Sequence, residues 1–386
     1  MLTTRRTFLR SASAAVAAPV VLRRSYRVFA QSPSQPEKTY PERVVRLMRE
    51  SVVIDMLNQF LYRTDQRDLL NRWLDQPSTF TEADFQKFHS SGLTAIGFGN
   101  GANSLADAQR LFSRYNNLML THPQWFQRIE TTADFASAHE TGRFGILFNL
   151  QSSAQFGELN DVNTLFGLGL RASQLSYNFR TLVADGAFEP HDAGVSEYGA
   201  KVIERMNTVR MAVDLGHASD QTKLDAIQLS KVTPIISHSN CRALIPNGLR
   251  ATTDDALRKL AARGGVMGIT DIAFMVKSTE PVTVEDVVDH YDHVRDLVGI
   301  EHVGMGSDAG IESNDLGDPK IGQRQLDTAD PRYHVHGTAE IVKGLQGPTR
   351  AYELTAALVR RGYTDDHIRL ILGGNWARVL KEIWGA

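Results

Sequence analysis

Residues 211–217, Met-Ala-Val-Asp-Leu-Gly-His, and 234–238, Pro-Ile-Ile-Ser-His, are two short apolar runs that each stop on a histidine. Runs of the same kind recur at Val52-Val53-Ile54, Leu93 to Phe98, Phe144 to Leu150, Ala172 to Tyr177, Gly265 to Thr270 and His302 to Met305. Each is mostly apolar on both faces, as strands of a parallel sheet covered by helices must be. Amphipathic stretches such as Ser196 to Asn207, Asp254 to Arg263 and Val284 to Val298 lie between them. Eight strands alternating with helices over about 330 residues predict an α/β fold, a closed (β/α)8 TIM-type barrel. A doubly wound open sheet is the alternative. No Gly-x-Gly-x-x-Gly follows the first run, which weighs against its dinucleotide-binding version.

In such a barrel, chemistry gathers at the C-terminal ends of the strands. The sequence places its polar groups there. Asp55 follows the first run, Gln151 the third, and Tyr177 and Asn178 close the fourth. His217 ends the fifth, His238 the sixth, Asp271 follows the seventh and Asp308 the eighth. Neighbouring strands lie about 4.8 Å apart, so His217 and His238 can converge on one ion, for which neutral imidazole is a common ligand. Asp308, in Gly304-Met305-Gly306-Ser307-Asp308, can ligate a metal or take a proton from water. A buried core histidine and a helix-capping aspartate are the plainer readings of these residues.

Composition narrows the function. The chain of 386 residues is 42% hydrophobic and 22% charged, as in a soluble globular protein. Its one cysteine, Cys241, excludes an internal disulfide and a metal site built from cysteines. The first thirty residues hold six arginines and no acid, leaving 36 basic against 44 acidic side chains beyond them. No nucleic-acid partner is expected of such a balance. Thr4-Arg5-Arg6-Thr7-Phe8-Leu9-Arg10, followed by an apolar run to Leu22, resembles a twin-arginine export signal; that run is too short to span a bilayer. The expected organisation is a leader over 1–30, a linker over 31–41 and a single barrel over 42–386. The expected location is the periplasm or another extracytoplasmic space, with the leader cleaved or kept as an anchor.

Taken together, Ala193 to Ser196, Val213 to Ser219, Pro234 to Asn240, Leu249-Arg250, Val303 to Asp308, Leu358 to Thr364 and Leu372 to Asn375 resemble the membrane (renal) dipeptidase family of zinc metallopeptidases. The resemblance runs from about Val44 to the C-terminus. It implies a metal-dependent barrel hydrolase that splits dipeptides with two zinc ions. It also implies that His217 and His238 hold the second zinc and that Asp308 acts on the catalytic water. Arg250 is then the clamp on the substrate carboxylate, and Tyr177 and Asn375 belong to the substrate pocket. The chain departs from the pattern at Asp55-Met56-Leu57-Asn58-Gln59, where Leu57 and Gln59 stand in place of a histidine and an aspartate ligand. Gln151 stands for the bridging glutamate and Tyr177 for a histidine. One zinc ion rather than two is therefore expected, or a site rebuilt with Asp55. The expected function is hydrolysis of a dipeptide or similar small amide. The alternative is a non-hydrolytic protein of the same fold that binds a small peptide or catalyses another reaction. Expected partners are the small peptide, the twin-arginine export machinery and, as one option, a second copy of the chain in a homodimer. Of the remaining histidines, His290 and His293 read as solvent-facing, and His334 and His336 as loop residues, with metal ligation as their alternative. Cys241 reads as a buried, inert thiol.

Overall fold

The computed structural model describes residues 39–61, 66–279, 281–312 and 342–385. The leader, most of the linker, His334 and His336 lie outside them. Eight parallel strands form the barrel: Ile54–Asn58, Ala95–Asn100, Phe144–Leu150, Leu170–Gln174, Ala212–Asp214, Ile236–Ser239, Met267–Ile269 and Val303–Met305. Here they are numbered one to eight in that order. Seven overlap the apolar runs of the sequence, and strand one begins on the last residue of its run, Ile54. The sheet runs 5-4-3-2-1-8-7-6. Strands five and six meet at a parallel bridge between Asp214 and Ile235, with Leu215 N–H donating to Ile235 O and Ile235 N–H to Val213 O. A short extra strand, Phe126–Arg128, pairs with the base of strand three, below the point where strand four begins.

Two apolar layers hold the barrel. Ile54, Met56, Ala95, Leu147, Ala172, Ala212, Ile235 and Val266 meet inside it, and Trp376 of the C-terminal helix (Asn375–Trp384) packs against them. The Trp376 indole N–H donates to Met305 O at 2.9 Å. Gly304 makes room for that ring, since a Cβ there would lie 2.4 Å from the indole nitrogen. The larger layer lies between strands and outer helices and includes Ile96, Phe98, Phe148 and Val303.

Asn375 belongs to this base, not to a substrate pocket. It is fully buried and its amide donates to Ile300 O and Val303 O, each at 2.8 Å, at the start of strand eight. The match at Leu372 to Asn375 thus marks a structural clamp at the end of the barrel opposite the strand exits.

His290 corrects a second expectation. On the helix Val284–Val298 it faces inward with Val287, Tyr291 and Val294. Its Nδ1 accepts from Cys241 N–H at 3.0 Å, and its Nε2–H reaches Val276 O at 2.9 Å. His293 is partly buried and pairs with Asp254 at 2.8 Å. Cys241 is buried, as expected, with its thiol against His290 O. Burial pushes the His290 imidazole down to about 4. The unfolded chain therefore binds the extra proton more readily between pH 6.5 and 4, and stability falls as pH drops through that window. The loss is expected to be on the order of 3 kcal/mol, from about two and a half pH units at 1.36 kcal/mol each. Thermal melts of wild type and His290→Gln between pH 4 and 7 check this: the variant should show a flatter acid limb.

Candidate functional site

The exits of strands one, three, five, six and eight deliver side chains to one point. His217 and His238 follow strands five and six, their rings 4.9 Å apart and their Nε2 atoms 3.1 Å apart. Each Nδ1 is anchored to an oxygen, His217 to Asn178 Oδ1 at 2.7 Å and His238 to Ser237 Oγ at 2.9 Å. Asn178 Oδ1 can only accept, so it puts the His217 proton on Nδ1 and leaves a lone pair on Nε2. Arg250 Nη2, a donor 3.0 Å from His238 Nε2, calls for the same tautomer there, whose Nδ1–H then donates to Ser237 Oγ. Burial, then the positive charge of Arg250, holds both imidazoles well below their usual range, so they are neutral near pH 7. Asn178 takes a left-handed backbone (φ 55°) that asparagine tolerates, which places its amide behind His217. Its contribution was not legible beyond its position at a strand exit.

Asp308 leaves strand eight with φ 56°, and its N–H donates to Leu57 O at 2.9 Å. One carboxylate oxygen accepts from Gln59 Nε2 at 2.7 Å, and the other lies 3.9 Å from His238 Nε2. Burial pushes this carboxyl up to about 6, against the Gln59 hydrogen bond and the Arg250 charge, which both lower it. Gln59 also reaches Gln151 Oε1 at 3.3 Å, and Gln151 Nε2 lies 3.4 Å from His217 Nε2. Arg250 is buried. It donates through Nη1 to Gly216 O and lies with Nη2 3.0 Å from His238 Nε2. Tyr177 stacks on His217 at 4.1 Å between ring centroids and is half exposed at the mouth.

Asp55 is not part of this convergence. It pairs in register with Ile96 of the outer layer. Ser307 N–H reaches one of its oxygens at 2.8 Å, and Ser307 Oγ–H and Asn58 Nδ2–H reach the other at 2.5 and 3.0 Å. With both oxygens engaged, it ties strand one to strand eight and offers nothing to an ion inside the barrel. The register shift between Asp55 and Asn58 instead turns Leu57 towards strand two, against Gly99, where a Cβ would lie 2.8 Å from the leucine. Lys223 went unnoticed in the sequence. It is buried behind His217 with Nζ on Ala218 O at 2.8 Å, and burial pushes its amine down to about 7.

These residues do not fit a two-ion centre. Leu57 has no donor, and Gln59 and Gln151 are neutral amides bonded to each other. No group of three His, Cys, Asp or Glu side chains is arranged for a metal among the described residues. They do fit one ion. Two anchored imidazole nitrogens 3.1 Å apart can both lie about 2.0–2.1 Å from a common zinc.

A parallel barrel that gathers neutral imidazoles, a carboxylate and a guanidinium beyond the C-terminal ends of its strands has the layout of a barrel with its site at that face. The family model of the membrane dipeptidases, peptidase family M19, matches residues 41–324 and 333–385, and the chain belongs to that family. It is 28% identical over 284 residues to the dipeptidase tcpJ of Claviceps purpurea, a match covering 72% of this chain and 60% of that protein. It is 30% identical over 256 residues to the dipeptidase verJ of Clonostachys rogersoniana, covering 66% of this chain and 59% of the relative. The chain thus spans about 60% of the length of the curated relatives it matches. Among solved structures, an amidohydrolase from Pseudomonas aeruginosa superposes with a TM-score of 0.75 at 26% identity, over 89% of this chain and 99% of that one.

Proposed function

We propose that this protein hydrolyses dipeptides or similar small amides, using one zinc ion held by His217 and His238. The observation that carries the reading is the pair of Nδ1-anchored imidazoles, their Nε2 atoms 3.1 Å apart, beside Asp308 on a family M19 barrel. A zinc ion held by His217 and His238 would supply Lewis acidity to the scissile amide and its attacking water. The remaining steps fall to the chain's own groups. Asp308 takes the proton of the attacking water and returns it to the leaving amine, a role its buried carboxyl near 6 suits at neutral pH. Arg250 exchanges its contact with His238 for the substrate carboxylate, whose two oxygens match its fork. Tyr177 covers His217 at the mouth and bounds the substrate on that side. Export by the twin-arginine route accompanies this proposal, supported by Thr4 to Arg10 and by the fit of folded export to a protein that takes up its metal first.

The test is a panel of L,L and L,D dipeptides offered with zinc, with release of free amino acids as the readout. Turnover of one or more members that stops with chelator is the expected result. Tight binding without turnover, indifferent to chelator, would establish the non-hydrolytic alternative instead.

A further inference from the structure

We infer that Gln59 is a positioning residue that does with two N–H donors what a second ion would do with charge: it fixes Asp308 and closes the space beside Leu57. The carboxamide nitrogen has two hydrogens and two acceptors, Asp308 Oδ1 at 2.7 Å and Gln151 Oε1 at 3.3 Å. Accepting from Gln59 orients the Gln151 amide, and its own nitrogen then faces His217 Nε2 at 3.4 Å. A neutral relay therefore runs from Asp308 through both glutamines to the imidazole pair. The backbone of Asp308 is set by its left-handed φ and its bond to Leu57 O, which leaves rotation of the carboxylate to be decided by its side-chain partners. With Oδ1 held by Gln59, Oδ2 is turned towards His238, 3.9 Å away. Leu57, fully buried against Gly99, supplies the apolar wall of the same space. A lone carboxylate in that wall would face Asp308 with like charge, whereas an amide faces it with a donor.

The catalytic half of this inference rests on the hydrolytic reading; the half concerning the metal does not. Gln59→Met keeps the size of the side chain and removes both donors. It is expected to keep the melting temperature and bound zinc of wild type while kcat falls about 10- to 100-fold with KM within about twofold, as for a misaimed base. Leu57→His with Gln59→Asp restores two ligand types. In metal analysis after zinc dialysis, wild type is expected to hold no more than one zinc per chain and the double variant to gain another. Wild-type kcat in Gln59→Met overturns the positioning role. Two zinc ions in wild type, or no gain in a folded double variant, overturns the replacement. A wild type that turns over no dipeptide counts against the proposed function alone, since the zinc content is still read.

Discussion

Asp308→Asn is expected to lower kcat by about 10³-fold or more while leaving zinc content and folding unchanged. The substitution is isosteric. Its side-chain oxygen can still accept from Gln59, and its backbone keeps the bond to Leu57 O, so the exit of strand eight is preserved. Asparagine tolerates the left-handed backbone at this position as aspartate does. What disappears is a group able to accept a proton 3.9 Å from the imidazole pair. Steady-state kinetics of the variant on the best dipeptide, with its melting temperature alongside, check the prediction. A kcat within tenfold of wild type would remove Asp308 from the reaction.

The second large effect belongs to the imidazoles. His217→Ala takes one of the two proposed ligands, and zinc affinity is expected to fall by more than about 100-fold, with turnover lost in parallel. Asn178→Ala removes the anchor on Nδ1, which frees the tautomer and the ring, and also puts an alanine on left-handed backbone. It should cost affinity in the range of about 10- to 100-fold, as changes behind a ligand do. Zinc affinities measured by competition with a chelating dye would order the proteins as wild type, Asn178→Ala, His217→Ala. Equal affinities for all three would place the ion elsewhere.

Most of the fold was legible because most barrel strands overlap an apolar run, although strand four, Leu170–Gln174, is half polar and strand one starts only where its run ends. His217, His238 and Asp308 were legible by the same logic, since each stands just where such a run stops, whereas Arg250, away from any run, was found through the resemblance. Asp55 follows the run Val52-Val53-Ile54 and so reads as a strand exit, but strand one continues to Asn58 and Asp55 is its second residue. The backbone irregularity between Asp55 and Asn58 decides which residue faces the barrel interior, and no local pattern announces it. Asn375 lies in a matching segment, but only the fold reveals that the segment closes the base of the barrel. His290 could have been read correctly. It sits three residues after Val287 and four before Val294, on the edge of the helix's apolar face. The relay from Gln59 to Gln151 joins strands one and three across the pocket, a contact between residues 92 apart that one sequence does not display.

In the proposed reading, this family M19 pocket works with a single ion between two anchored imidazoles. Titrating metal-stripped wild type with zinc, while following amino-acid release from the best dipeptide, tests it most directly. Activity should rise from nothing and level off at one equivalent per chain. A plateau only at two equivalents, or turnover undiminished in the stripped protein, would contradict it.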